Sequence, residues 1–203
     1  AHAVRPDWDA HIYPWDYPVD RRPTPGPSQY AVTEEDFVPA QNALGGFVYA
    51  GGTMAFTAAY WALHALRPRV IAAFGCDMHY PATGRTHFYG LGKADPLRPD
   101  ITLQSLEAKS ARLMILAAMR GCAMVNLSFG PSRLVFPRVA LDGVEDARPL
   151  PFDADLAATA LRREAELGYL VPSGRYWEEA ERFDPAALRE VDALWLAAIA
   201  TTA

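Results

Sequence analysis

Cysteine is scarce in this 203-residue chain, which carries only Cys76 and Cys122. Two cysteines cannot build the disulfide framework of a small secreted domain. Each lies beside a predicted core strand, so buried free thiols and a reducing, cytoplasmic setting are expected. Long apolar runs are missing too. None approaches the ~18 residues that a membrane span requires, and the start shows no signal-peptide pattern. The chain opens at Ala1 rather than at a methionine, so processing or further upstream residues are expected. Positive charge is not in excess: the formal net charge is -5 and the pI about 5.5. That balance argues against nucleic acid or an anionic membrane as the main partner, although a local basic cluster can still hold a phosphate.

Several chemical signatures are absent as well. The chain has no G-x-G-x-x-G, no Walker phosphate loop and no G-x-S-x-G nucleophile elbow. It has no C-x-x-C or H-x-x-x-H pair, so no metal site is expected from Cys76, His79 and His87. Cys122 opens an apolar strand, where a thiolate is disfavoured. Internal repeats and low-complexity tracts are also lacking.

What is present suits one globular domain. Hydrophobic residues make up 51% and charged residues 21% of a 22.3 kDa chain, enough to bury a core without staples. Residues 1–43 form a distinct arm in which prolines mix with Trp8, Tyr13, Trp15, Tyr17 and Tyr30. Proline fixes φ and removes donors, so an irregular arm is expected, packed over the domain or on a partner. Thr33-Glu34-Glu35-Asp36 can cap one short helical turn.

Residues 44–150 read as an α/β core, a Rossmann-like, mostly parallel sheet flanked by helices. Phe47-Val48-Tyr49 suggests a short strand or extended approach to Gly51-Gly52. Thr53 is the expected N-cap of an apolar helix reaching Leu66, stopped by Arg67-Pro68. Strand 70–74 follows. Asp100 or Thr102 is expected to cap a long helix to about Arg120, with Gly121 closing it. Cys122-Ala123-Met124-Val125 reads as the next buried strand, and Leu134-Val135-Phe136 as a short extended piece. Residues 151–203 read as a helical extension on the core or a partner. Its first helix runs from Asp153 to Leu167, and Asp184-Pro185 starts the last one. The apolar face of that last helix and the N-terminal arm are the expected routes to a homo-oligomer.

The stretch with most chemistry is Arg69–Gly90. An apolar strand ends at Phe74 and turns at once into Asp77, His79, Tyr80, Arg85, Thr86, His87 and Tyr89. In parallel α/β sheets ligands bind beyond the carboxyl ends of strands. Asp77 can accept from a ribose hydroxyl, or serve as a local cap. His87 is the candidate acid or base, because imidazole titrates near neutrality. Tyr80, Arg85 and Thr86 can donate to phosphate oxygens. Gly51, Gly52 and Thr53 can present a phosphate cradle at a helix start, or merely a tight turn. Asn126 and Ser128 follow the second strand at the same edge and can read a base or ribose. Arg133 can bind an anion or pair with a nearby carboxylate.

G-C-D-M-x-Y followed by G-R-T-H-F-Y-G resembles the G-x-D-[LM]…[ST]-H pattern of a bacterial and phage family of glycosyltransferase-like proteins. That family is related to motility-accessory-factor flagellin glycosyltransferases and 6-hydroxymethylpterin diphosphokinase-like enzymes, and more distantly to bacterial sialyltransferases. V-N-L-S and S-R-L-V-F-P-R resemble its following block, so the resemblance covers about residues 45–140. It implies a Rossmann-like domain and transfer of a sugar, often a CMP-linked nine-carbon acid, from a nucleotide-sugar donor to a hydroxyl acceptor. By position Asp77 and His87 match the family's strand-end Asp and its His, and Asn126 and Ser128 its polar pair. The family's opening strand and G-x-G-x-S-L loop have no counterpart here. Two other readings follow: pyrophosphoryl transfer from ATP with Mg²⁺ held by Asp77, and a non-catalytic assembly protein that keeps the fold. No tightly bound cofactor is expected in the first reading.

Overall fold

The apolar run from Val70 to Ala73 forms a strand in the computed structural model, which describes residues 10–12, 30–79 and 100–200. In chain order the strands are β1 (Ala10–Ile12), β2 (Tyr30–Val32), β3 (Val70–Ala73) and β4 (Ala123–Asn126). The α-helices are α1 (Glu34–Asn42), α2 (Phe47–Ala50), α3 (Met54–Trp61), α4 (Leu106–Ala118), α5 (Ala154–Leu167) and α6 (Pro185–Ala200). The protein is thus a mixture of helix and sheet in which helix predominates. Among the described residues the expected parallel pairing occurs as two separate two-stranded ladders, β1 with β2 and β3 with β4. The second ladder runs from Val70 opposite Ala123 to Ala73 opposite Asn126.

Local sequence explains most element boundaries. The hydroxyl of Thr53 accepts from the Phe56 N–H at 3.2 Å and so starts α3. A π-helical turn, Ala62–Leu66, continues it, and the Arg67 N–H closes that turn on the Ala62 carbonyl at 3.2 Å. Arg67 is left-handed (φ 50°), and Pro68 prevents any continuation. Gly121 and Gly168, at φ 73° and 64°, supply the left-handed residues after α4 and α5. Asp153 caps α5 by accepting from the N–H groups of Asp155 and Leu156 at 3.0 and 2.9 Å. Asp184 does the same for Ala186 at the start of α6, at 2.8 Å.

Four expectations are corrected. Phe47–Ala50 is a turn of helix rather than a strand, with all its residues buried between Gly46 and Gly51 at φ 88° and 93°. So short an apolar run fits either element, and the flanking glycines decide it. The arm is more regular than its prolines suggest, since β2 and the nine-residue α1 fall inside it. The Asp36 carboxylate accepts the Thr33 N–H at 3.0 Å, and this N-terminal bond holds a helix that carries Pro39 in its interior. Ser105, not Asp100 or Thr102, caps α4, accepting from the Ala108 N–H at 3.1 Å. Asp100 instead heads a 3₁₀ turn over Ile101–Leu103. Finally, residues 134–136 form no strand, and this segment meets β4 only through a bridge between Asn126 and Arg138.

Helix α4 is buried along almost its whole length and organises the core. Helix α6 lies across both α4 and α5, and Val191, Trp195 and Ala198 enter the same apolar cluster as Leu113, Leu116 and Phe56. The apolar face that made α6 look sticky is therefore covered by its own chain. Burying a Val, Leu or Phe side chain of this cluster stabilises the fold by about 1.5–3 kcal/mol. Two cations of α4 are buried with them. Lys109 Nζ donates to Asp192 Oδ1 at 3.0 Å, while Arg112 makes a two-pronged pair with Glu164 at 2.7 and 2.8 Å. Burial pushes the Asp192 carboxyl above the ordinary range, and Lys109 only partly opposes this.

Candidate functional site

A hollow of about 540 Å³ opens beyond the carboxyl end of β3. Thr53, Met54 and Ala55 line one side, at the first turn of α3, and Gly75, Asp77, His79, Gly130 and Pro131 line the rest. The first N–H groups of a helix lack carbonyl partners, and the helix dipole makes that end attractive to anions. Asp77 lines the same hollow, so a helix start and a carboxylate share it.

The wall carrying Asp77 is built by side chains from β4. Asn126, fully buried at the strand end, donates to Ser132 Oγ at 3.1 Å and to Asp77 Oδ1 at 3.4 Å. Its side-chain Oδ1 accepts the Ser128 N–H at 2.9 Å. Ser128 Oγ accepts the Gly75 N–H at 3.1 Å, tying the loop after β4 to the loop after β3. The Arg133 N–H donates to the Asp77 carbonyl at 2.9 Å, and Arg138 caps the carbonyls of Ser128 and Gly130 at 2.7 and 2.6 Å. Gly75 and Met78 are both left-handed, at φ 67° and 56°, so the loop reverses sharply around Asp77. A non-glycine residue in that region is uncommon and marks a conformation its surroundings impose. Here Met78 is buried in the main core and pins it.

The geometry assigns the sequence candidates to different duties. Thr53 and Asp77 face the hollow. Asn126 and Ser128 lie behind it as positioning groups, their polar atoms engaged with the loops. Arg133 grips Glu107 through two nitrogens at 2.7 and 2.9 Å. Gly51 and Gly52 do not line the hollow. A Cβ on Gly52 would stand 2.5 Å from Thr102 Oγ1 and 3.1 Å from the Tyr176 hydroxyl, so this turn serves close packing. Gly52→Ala is expected to cost about 1–3 kcal/mol by overpacking, read as a lower thermal midpoint. Tyr80, Arg85, Thr86 and His87 lie outside the described residues.

Sequence reading missed two residues. Ser132 sits between the Asn126 side chain and the Leu134 N–H, and its Oγ accepts from the latter at 3.2 Å. Nothing distinguishes such a serine in sequence beyond its place after a glycine-proline pair. Phe129, next to Gly130 in the rim, is 82% exposed, although an aromatic one residue past a polar strand end was legible as a stacking candidate.

Electrostatics narrow the chemistry. The Cys76 thiol lines the hollow, but burial, and then the Asp77 charge, push it above its ordinary value. A ready thiolate nucleophile at neutral pH is therefore disfavoured. Arg133 holds the Glu107 carboxyl below the usual carboxylate range, and the nearby His79 pulls the same way. A depressed acid stabilises the fold above its unfolded value, about 4.3, and loses that contribution as pH falls through the lower folded value. Both side chains are about one-third exposed, so the pair contributes less than about 1 kcal/mol. In Arg133→Gln, the Glu107 titration followed by NMR should move up toward the ordinary value, and the acid limb of the stability curve should shift slightly upward in pH.

Comparison with protein-family models, with curated proteins and with solved structures gives no match to this chain. Among the described residues no three metal-ligating side chains converge, and Asp77 is the one carboxylate lining the hollow. Mg²⁺ is usually held by one or two carboxylates together with substrate phosphates, and Asp77 is the residue of the hollow that would supply one. No helix among the described residues is long and apolar enough to cross a membrane.

Proposed function

We propose that the hollow beyond β3 takes a nucleotide-linked sugar and that the protein transfers the sugar to a hydroxyl acceptor. The observation that carries the reading is the pairing, across one hollow, of the α3 N-terminus with the Asp77 carboxylate. The helix end suits the donor phosphate, and the carboxylate suits a ribose or sugar hydroxyl. The exposed Phe129, next in the chain to Gly130 of the hollow, offers a face for the base. The parallel β3–β4 ladder, with its loops at the carboxyl ends, supports a Rossmann-like site of this kind. In the transfer the bond between the anomeric carbon and the donor phosphate breaks, and the nucleotide leaves with that phosphate. The acceptor oxygen bonds the anomeric carbon and gives its proton to a base, the role read from the sequence for His87.

The test is release of free nucleotide from CMP-, UDP- and GDP-linked sugars, followed by chromatography, for the wild type and Asp77→Asn. Release from one donor, strongly reduced in the variant, supports the transfer. No release from any donor overturns it. A second reading, a non-catalytic assembly protein on the same fold, is favoured by the apolar surface beside β3, where Phe74 is 76% exposed. Nucleotide binding without turnover would leave the hollow assigned and the reaction excluded.

A further inference from the structure

The two-stranded β3–β4 ladder leaves one edge of β3 without a neighbour among the described residues. The carbonyls of Arg69 and Ala73 accept from Ala123 and Leu127, each at 2.8 Å, so the odd-numbered peptide groups face β4. Those of Val70, Ala72 and Phe74 therefore turn the other way. The Phe74 carbonyl accepts a long contact of 3.5 Å from its neighbour Cys76 Sγ, and the outward groups of Ala72 have no partner among the described residues. Natural sheets guard such an edge with lysine, proline, a bulge or a covering segment. The strand itself, Val70-Ile71-Ala72-Ala73, contains none of these.

The surface beside this edge is apolar. Phe74 is 76% and Leu66 50% exposed. They flank a groove of about 520 Å³ whose lining includes Ala58, Ala62, Ile71 and Met124. An edge with no neighbour among the described residues, beside an apolar groove, fits an added strand. Charge then selects which strand. Arg67 and Arg69 stand at the entry of β3 and Asp77 beyond its exit. A second β3 laid antiparallel, with Ala72 opposite Ala72, sets the arginine end of each copy beside the Asp77 end of the other. A parallel copy would set like against like.

We propose that two copies of this chain pair through β3, antiparallel about a twofold axis at Ala72, to form a continuous four-stranded sheet. Ala72 exchanges both backbone hydrogen bonds with its twin, and Val70 does so with Phe74 of the second copy, as outward residues of an antiparallel ladder must. The exposed phenylalanines and the grooves beside them are covered in the same step. This interface differs from both routes expected from sequence, the arm and the last helix.

Sedimentation of the full chain over a hundredfold range of concentration tests the pairing. The wild type is expected to reach twice its 22.3 kDa mass, and Ala72→Glu to remain monomeric with unchanged helical circular dichroism. A cross-link fixes the register. In an antiparallel hydrogen-bonded pair the Cα atoms stand about 5.5 Å apart, within disulfide range. Ala72→Cys in a Cys76→Ser background should therefore form an oxidised dimer, whereas Val70→Cys should link to Phe74→Cys and not to itself. A wild type that is monomeric throughout overturns the inference. So does a dimer that persists in Ala72→Glu while Ala72→Cys fails to cross-link. The cross-linking arm keeps the test decisive if Ala72→Glu does not fold.

Discussion

Replacing Glu164 by Gln is expected to destabilise the protein by about 3–5 kcal/mol, the usual cost of removing one member of a buried ion pair. Both side chains of the pair are buried, although they also line a cavity of about 560 Å³. Glu164 receives two nitrogens of Arg112 at 2.7 and 2.8 Å and the Trp195 indole N–H at 2.8 Å, and so joins α4, α5 and α6. Arg112 in turn donates to the Tyr60 hydroxyl at 2.7 Å and the Leu44 carbonyl at 2.6 Å. Burial alone would ease the proton off the guanidinium, but the charges and hydrogen bonds of Glu164 and Tyr60 together more than offset that, so Arg112 stays cationic. An amide leaves that charge without its counter-ion in a low-dielectric core. Urea unfolding should show the lower midpoint without a change in slope. The double variant Arg112→Met, Glu164→Met should recover much of the loss, since the penalty belongs to the stranded charge. Equal losses in the single and double variants would contradict this account.

Asp77→Asn is expected to leave the fold intact and weaken nucleotide-sugar binding by about 10- to 100-fold, the value of one hydrogen bond to a charged group. Asn126→Ala should weaken binding in the same way but also lower stability by about 1–3 kcal/mol, because it strands buried partners. Asn126 touches Asp77, Ser128 and Ser132 rather than the hollow itself. Binding isotherms and melting curves measured on both variants separate the two roles. Equal binding by Asp77→Asn and wild type would remove Asp77 from the site.

Local rules carried much of this reading. The start of α3 at Thr53, the caps at Asp153 and Asp184, and the glycine stops after α4 and α5 all follow from side-chain hydrogen bonding and left-handed φ. Strands β3 and β4 were legible as short apolar runs between breakers, and their shared edge pointed to Asp77, Asn126 and Ser128. What the sequence hid was non-local. The duty of Asn126 depends on Ser132, which the loop after β4 carries back against it. The pairing of Arg133 with Glu107 spans 26 residues, and that of Arg112 with Glu164 spans 52. Nor does periodicity reveal that α4 buries Lys109 and Arg112 on faces that composition would assign to solvent.

The central claim is that a nucleotide-linked sugar sits beyond β3, between the start of α3 and Asp77. Amide chemical-shift mapping of the isotope-labelled protein, titrated with CMP, UDP, GDP and their sugar conjugates, tests it most directly. The predicted result is saturable shifts clustered at Met54, Gly75, Asp77, Ser128 and Gly130 with one of these ligands, strongly weakened in Asp77→Asn. No saturable shift with any of them, or shifts clustered away from these amides, would contradict it.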